Sequence, residues 1–305
     1  MIELSITATW GKEWCALEPP QCLADLMRAQ AIRAPRRSNR LMQMAHMGAL
    51  GCISAAGRPP EQGMGLIIGS SHGNLADTLE MMQGVLEAQL PPMPFDFINV
   101  STNMAGYQAA SALGLTGGPG LMVSRGNQSL AAALELCAVE PTRPWLVGIV
   151  EEAPLPLAEH RRRLNVHQDT PLAECTYWFR LETGDAPAMG RMVGLDRLPD
   201  IDALRARLSD EGHLGNRPLV CLGEAARARL TSVSTLTLEP DKTETCAMED
   251  EAAGYHLGHA ARQVSHFLTS ARPGDTLHQV DWDPVCENWL VLTFRRDGEP
   301  TDPAP

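Results

Sequence analysis

The sequence predicts an α/β protein in which short buried strands alternate with helices. Apolar runs such as 64–69 and 144–150 are too short for stable helices and are bounded by polar or proline-containing turns, as buried strands are. Longer segments between them carry apolar residues at helical spacing. This alternation is typical of βαβ units, and it predicts a largely parallel sheet covered by helices on both faces.

The first half of the chain supplies most of the expected elements. The helix over 38–56 places Leu41, Met44 and Met47 on one face, and the helix over 99–113 is rich in Ala and Gly, which indicates close packing. Proline residues over 91–94 predict a loop. Strands are predicted at 2–8, 64–69, 121–124 and 144–150, and helices at 21–30, 38–56, 75–89, 99–113 and 127–139.

The second half begins after a change of composition to proline, charge and histidine. We therefore predict an N-terminal half over 1–151, a linker over 152–173 and a reduced C-terminal half of the same domain over 174–305. The acidic residues at 249–251 suit the start of a helix, because negative charge stabilises the helix N-terminus. Strands are predicted at 174–182, 188–195, 218–222, 276–281 and 287–295, and helices at 200–208 and 252–270.

Composition and charge exclude several classes of protein. The 305 residues are 44% hydrophobic, which is enough for a sizeable core, and the net charge of −12 argues against a surface that binds nucleic acid. No apolar run approaches the ~20 residues that span a bilayer, and the N-terminus does not resemble a cleaved signal. The eight cysteines form no C-x-x-C pair. This usage is typical of reduced thiols, so we expect a cytoplasmic protein without membrane insertion.

The strand, turn and helix over 121–139 are the most informative feature. A short apolar strand runs into Arg125-Gly126, and an Ala/Leu-rich helix follows. A side chain at such an elbow lies at a helix N-terminus, where free N–H groups stabilise a thiolate or an oxyanion. The elbow is therefore the expected place for a nucleophile.

The sequence around this elbow resembles the β-ketoacyl synthases of the thiolase-like superfamily. The family has a small-residue helix with Ala-Gly, an "LG-x-x-GP" connection and a strand similar to "TVSTACASSLAAL". The matching residues here are Asn103, Ala105, Gly106, Leu113-Gly114, Gly118-Pro119, Val123-Ser124 and 130–134. The resemblance is clear over 64–150, weak over 1–63 and patchy afterwards. It implies a thiolase-like layered α/β/α/β/α fold with a truncated second half.

The residue that carries the acyl group in that family is missing. Counting without a gap places Asn127 at the position of the family's nucleophilic cysteine, and allowing one deletion places Gln128 there. A carboxamide has no proton to lose near neutral pH and cannot carry a thioester. Cys137 lies too far along the helix to substitute.

The family's two histidines are also absent or displaced. No "HGTGT" segment occurs, and the segment over 254–261, preceded by Lys242, resembles the family's "GHLLGAAG" helix start with Tyr255 at the histidine position. His256 and His259 follow it. A tyrosine with a pKa near 10 is poorly suited to the acid–base work of imidazole. The resemblance therefore implies no catalytic residues of the family's kind, and we expect no cofactor and no metal.

The resemblance implies a catalytically inactive subunit, a chain-length factor of the aryl polyene type. Such a subunit pairs with an active ketosynthase in a heterodimer for polyene, polyketide or fatty-acid-type chain elongation, and it meets the acyl carrier protein only indirectly. The candidate tunnel or interface residues are Phe95, Phe97, Asn103, Met104, Tyr107, Met122, Ser124 and Arg125.

Other interpretations stay open. A Gln-type ketosynthase relative would decarboxylate malonyl thioesters through Gln128, and a homodimeric scaffold would have no link to polyketides. His256 and His259 could form half of a metal site, but a third ligand at a defined spacing is missing. We interpret the run over 161–163 as a solvated linker rather than a carrier-protein docking site. Ser71 and His72, adjacent on a turn, are not expected to form a catalytic pair.

Overall fold

The computed structural model describes residues 3–182, 187–209, 219–232, 244–245 and 254–298. The predicted acidic helix start at 249–251 and Lys242 lie outside these residues. The strands are β1 (Leu4–Cys15), β2 (Gly65–Gly69), β3 (Gly120–Val123), β4 (Trp145–Glu151), β5 (Ala173–Glu182), β6 (Gly190–Leu198), β7 (Leu219–Leu222), β8 (Glu244–Thr245), β9 (Thr276–Asp283) and β10 (Asn288–Arg296). The helices are α1 (Leu23–Ala29), α2 (Arg40–Ala55), α3 (Leu75–Leu86), α4 (Pro94–Val100), α5 (Asn103–Leu113), α6 (Ser129–Val139), α7 (Leu157–Leu164), α8 (Ile201–Ser209), α9 (Glu224–Ser232) and α10 (His259–Ser270). None of these described helices is long and apolar enough to cross a membrane.

The strands form one mixed sheet in the order β3-β2-β4-β5-β1-β6-β10-β9-β7-β8. The first five strands of the chain, read from one outer edge of the sheet, follow the order β3-β2-β4-β5-β1. The last five strands, read from the opposite edge, repeat this order as β8-β7-β9-β10-β6. The two sets meet where β1 pairs with β6.

The prediction of a largely parallel sheet is wrong. Only the pairings of β2 with β3 and β4, and of β7 with β8 and β9, are parallel. The five central pairings, from β4–β5 to β9–β10, are antiparallel. The β9–β10 pair shows why, since a short turn joins it without a crossover helix, and only antiparallel strands can be joined in this way.

Helices cover the two sets of strands in layers. Helices α1, α2 and α5 pack on the outer face of the first set. Helices α6 and α10 share one core with β2, β4 and β5 of the first set and β9 and β10 of the second. Helices α8 and α9 cover the outer face of the second set. The result is the expected α/β/α/β/α arrangement, and it places α6 and α10 at the centre of the molecule.

The second set contains all five strand positions. Three described helices accompany it, whereas seven accompany the first set. The predicted linker over 152–173 contains α7, and β5 lies between β4 and β1 in the sheet. The proposed division into halves at this linker stays a prediction.

Helix α4 replaces part of the loop expected after α3. Pro94 occupies the first turn of α4, where its missing N–H costs nothing. The Asp96 carboxylate accepts a hydrogen bond from the Met93 backbone N–H at 2.6 Å, which caps the helix. The following helix, α5, consequently begins at Asn103 rather than at residue 99.

Candidate functional site

The elbow is a tight turn between the edge strand β3 and the central helix α6. Gly126 adopts a left-handed conformation with φ of 56°, which favours glycine. The Ser129 hydroxyl accepts a hydrogen bond from the Arg125 backbone N–H at 3.1 Å and donates one to the Gly126 carbonyl at 2.8 Å. This turn places Gln128 at the N-cap of α6.

The two candidate nucleophile positions differ in their surroundings. The Asn127 side-chain amide donates a hydrogen bond to the Asp281 carboxylate of β9 at 2.6 Å. Gln128 is 4% exposed, and neither of its carboxamide atoms has a hydrogen-bond partner in the described part of the chain. Asn127 therefore joins the two sets of strands, whereas Gln128 is buried beneath the turn.

Gln128 lines a small cavity of about 10 Å³, which is roughly the room of one water molecule. The buried side chain of Gln279 in β9 also lines it and, within the described residues, also lacks hydrogen-bond partners. Ala260 of α10 completes the wall nearest the second half. The space beside the elbow is thus far smaller than an acyl thioester.

Ion pairs hold the outer side of the elbow. The Arg125 guanidinium lies 2.9 Å from the Asp283 carboxylate and 3.2 Å from the Cys286 sulfur. Arg197 of β6 approaches the same carboxylate at 3.4 Å. The side chain of Asp283 is only 2% exposed, so the elbow is anchored to a buried acid at the end of β9.

The segment that resembles the family's second histidine motif leads into α10. Tyr255 forms backbone hydrogen bonds with Pro171 and Ala173, and its side chain packs in the cluster that contains Leu172. The structure therefore brings the motif's Ala260 to the elbow cavity, whereas Tyr255 does not line that cavity.

His256 and His259 form a stacked pair, with ring centroids 4.6 Å apart. His256 Nδ1 accepts a hydrogen bond from the Gly258 backbone N–H at 3.1 Å, so Nε2 carries the proton that it shares with Glu13 at 3.1 Å. Burial opposes ionisation of Glu13, but the hydrogen bond from His256 and the nearby positive charge of Arg262 outweigh it and lower the pKa of Glu13. Burial lowers the pKa of His259 to about 3. No group of three or more His, Cys, Asp or Glu in the described ranges could hold a metal ion.

The other candidate residues are exposed or partly buried in the single chain. Phe95, Phe97 and Tyr107 are more than half exposed, whereas Met104 and Met122 are partly buried against the outer core. The exposed Ser124 hydroxyl donates a hydrogen bond to the Ser71 carbonyl at 3.0 Å. Asn103 is exposed at the start of α5. Their role in lining a tunnel or an interface stays a prediction.

Cys137 lies on α6, away from the elbow turn. It is fully buried in the central core, and burial raises the pKa of its thiol to about 12. It offers no thiolate at neutral pH.

A second polar cluster lies at the carboxyl ends of β2 and β4. His72, His160 and His256 line a small cavity together with Glu151 and Glu152. The rings of His72 and His160 meet edge to face with centroids 5.5 Å apart. The Glu151 carboxylate accepts hydrogen bonds from the Ser71 hydroxyl at 2.7 Å and from its backbone N–H at 2.9 Å.

Burial keeps this polar cluster largely neutral. It raises the pKa values of Glu151 and Glu152 to about 8 and lowers the pKa of His160 to about 4. Near neutral pH burial therefore favours the protonated form of both acids and the uncharged form of His160. Such a cluster can donate and accept hydrogen bonds.

Sequence reasoning missed this cluster, although a signal was present. Glu151-Glu152 directly follow one apolar strand, and the polar turn over 70–74 directly follows another. The carboxyl ends of neighbouring parallel strands meet at one edge of a sheet. Pairing β2 with β4 would have brought the two segments together.

Comparison with solved structures identifies the fold. The chain is similar to the ishigamide ketosynthase/chain length factor, with a TM-score of 0.68 and 18% identity over 98% of this chain and 100% of that one. It is also similar to a beta-ketoacyl synthase from Burkholderia phymatum STM815, with a TM-score of 0.65 and 13% identity over 97% and 100%. The PfaC keto synthase-chain length factor aligns with a TM-score of 0.60 and 11% identity over 98% of this chain and 43% of its own. No protein-family model matches the sequence, and no curated protein matches it.

The thiolase-like ketosynthase fold expected from the elbow is therefore confirmed. At 11–18% identity the similarity establishes the fold and carries no activity with it.

Proposed function

We propose that the protein is a non-catalytic, ketosynthase-like partner subunit, a chain-length factor that pairs with an active β-ketoacyl synthase. One observation carries this proposal. The elbow that would present a nucleophile holds two carboxamides, Asn127 bonded to Asp281 at 2.6 Å and Gln128 buried against a cavity of about 10 Å³. A side chain without an ionisable proton, in a space too small for a thioester, cannot carry an acyl chain.

An exposed apolar surface supports a partner subunit. Helices α3 and α4 pack together, and large apolar side chains on them and on the segment between them face solvent; large patches of this kind mark protein interfaces. We call this surface the apolar face, and its members are Met82, Val85, Leu86, Leu90, Met93, Phe95, Phe97 and Ile98. Strand β3 forms the nearby outer edge of the sheet and is available for pairing.

The resemblance to β-ketoacyl synthases also leads us to propose a pathway, a contact with the acyl carrier protein and a cellular compartment. The subunit belongs to an aryl polyene or related polyketide system, and its partner makes most contact with the acyl carrier protein. No disulfide joins any of the seven described cysteines, which fits the reducing cytoplasm. The solved ketosynthase/chain length factor neighbours add support through their fold.

Co-expression with a β-ketoacyl synthase from the same genome tests the proposal. We expect a stable 1:1 complex, and Phe97→Ala should weaken it by about tenfold or more, because exposed aromatic anchors dominate interface energies. Val139→Ala is the matched control, since Val139 is 76% exposed at the end of α6, outside the apolar face. Recovery of separate monomers only would contradict the proposal, and a homodimer unaffected by the ketosynthase would favour a scaffold.

The Gln-type decarboxylase is the competing enzyme hypothesis. Incubation of the purified chain with a malonyl-carrier protein should release no acetyl product above background, because the cavity beside Gln128 is too small to hold a thioester. Acetyl product that Gln128→Ala abolishes and Gln108→Ala preserves would overturn the assignment as a non-catalytic subunit.

A further inference from the structure

A cavity of about 340 Å³ opens between α3 and α4, in the middle of the apolar face. Val85, Leu90 and Met93 belong both to its lining and to the exposed apolar set. The cavity is therefore continuous with the surface that we propose as the partner interface. Its volume is within the range of sites that enclose a side chain or a small ligand.

Three carboxyl groups line the same cavity, namely those of Asp77, Glu80 and Asp96. Asp77 accepts a hydrogen bond from the Asn39 amide at 2.9 Å, and Asp96 accepts one from the Met93 backbone N–H. These contacts are neutral: within the described residues, no Lys, Arg or His nitrogen forms an ion pair with any of the three.

Several acids elsewhere in the molecule do have an opposite charge beside them. Buried carboxylates such as Glu174, Glu182 and Asp283 each lie against an arginine. Arg37 borders the apolar face, and its guanidinium carbon lies 5.0 Å from the Phe95 ring centre. The cavity itself carries three carboxyl groups that have no ion-pair partner among the described residues.

We propose that this cavity makes the apolar face select a non-identical partner, one that inserts a Lys or Arg side chain between Glu80 and Asp96. A two-fold homodimer uses the same surface twice, so it would bring six carboxyl groups into one interface. Like charges across an interface oppose association, and a basic side chain from a different subunit removes that repulsion. The inference rests on the proposed function, because it assumes that the apolar face is where the partner subunit binds.

Removing negative charge from the cavity tests whether its acids oppose the binding of a second copy of this chain. The double variant Glu80→Gln/Asp96→Asn keeps the shapes of both side chains and the acceptor that caps α4. Sedimentation velocity of the full chain alone should show that this variant self-associates at least tenfold more tightly than the wild type at about 50 mM salt. The difference should shrink at about 500 mM salt, where charges are screened. Equal self-association of the two proteins would overturn the inference.

The second arm measures binding to the ketosynthase. The same double variant should bind at least tenfold more weakly, while Glu87→Gln/Asp169→Asn, which changes net charge equally outside the cavity, should bind as the wild type does. Equal binding by all three proteins would overturn the inference and leave the proposed function intact. If the wild type binds no ketosynthase, the proposed function fails, and the self-association arm still decides whether the cavity excludes a second copy.

Arg37 borders the apolar face, so a homodimer could place this cation of a second copy in the cavity. A tight wild-type homodimer that Arg37→Gln dissociates would therefore overturn the inference in favour of a second copy. Unchanged monomeric behaviour of Arg37→Gln would support it.

Discussion

Glu151 and Glu152 are buried acids at the end of β4, and both are nearly inaccessible to solvent. Glu151 receives hydrogen bonds from the Ser71 hydroxyl and backbone, yet burial outweighs them and raises its pKa to about 8. Each acid therefore links folding to the pH of the solution. The direction follows from comparing the folded and unfolded chains.

We expect Glu151→Gln to be more stable than the wild type at pH 8 and similar to it at pH 4. Below its ordinary pKa of 4.5, Glu151 is protonated in both states. As the pH rises from 4.5 towards about 8, Glu151 ionises in the unfolded chain but stays protonated in the folded chain. The free energy of unfolding of the wild type therefore falls over this range, and the stabilising contribution of Glu151 is lost. The gain at pH 8 should be about 1–4 kcal/mol, because one pKa unit corresponds to about 1.4 kcal/mol.

Urea unfolding at pH 4, 6 and 8 measures this effect. In the wild type, His160 has the opposite effect on the pH dependence of stability. Because its pKa is lowered in the folded protein, the free energy of unfolding rises with pH up to about 6.5. Subtracting the wild-type curve from that of the variant isolates Glu151, and Glu87→Gln, on the exposed surface, should leave the pH dependence unchanged. A variant that loses stability at pH 8 would show that the Glu151 carboxyl is ionised in the folded protein.

At the scale of single elements, α2 depends on glycine for its close contact with the sheet. A Cβ on Gly48 would meet the Trp178 ring and the Thr176 hydroxyl of β5. These two side chains are themselves linked, because the Trp178 indole N–H donates to Thr176 at 2.8 Å. Gly51 similarly faces the ring of Trp10 in β1, at 2.5 Å from an ideal Cβ.

Gly48→Ala should therefore destabilise the protein by about 1–3 kcal/mol, as overpacking of a rigid core does. Gly84→Ala in α3 is the control, since no atom lies within 4 Å of its added Cβ. That substitution should stabilise by about 0.5–1 kcal/mol, because alanine loses less entropy than glycine in a helix. Denaturant midpoints from tryptophan fluorescence compare the two, and equal stabilisation by both would contradict the close packing of α2.

At the scale of the whole molecule, the two sets of strands share a central core, but few backbone pairings join them. The pairing of β1 with β6 involves three residue pairs. The elbow adds long-range contacts to β9, among them Asn127 with Asp281 and Arg125 with Asp283. The elbow therefore carries side chains that connect the two sets.

Asp283→Ala should lower the free energy of unfolding by about 1–3 kcal/mol. The substitution removes a buried acceptor of Arg125, Arg197 and two backbone N–H groups, and the partial exposure of both arginines limits the loss. Asp202→Ala breaks an exposed pair with Arg205 and should cost less than about 0.5 kcal/mol. If chemical denaturation gives the two variants the same stability, Asp283 does not join the sets.

Much of the architecture could be predicted from local sequence. Apolar runs located nine of the ten strands, and helical spacing located most helices, because both patterns are properties of consecutive residues. The misses have physical causes: α4 begins with a proline that a helix tolerates at its first turn, and α7 lies in a charged segment whose apolar positions are few.

At the candidate site, the presence of Asn127 and Gln128 and the absence of a thiol at the elbow could be read from the sequence, since the identity of a side chain needs no fold. The surroundings of these two residues, in contrast, depend on the tertiary fold. Asp281 lies more than 150 residues away along the chain, and His72, His160 and His256 meet from three separate segments. Strand order and direction bring such groups together, and local periodicity carries no information about either.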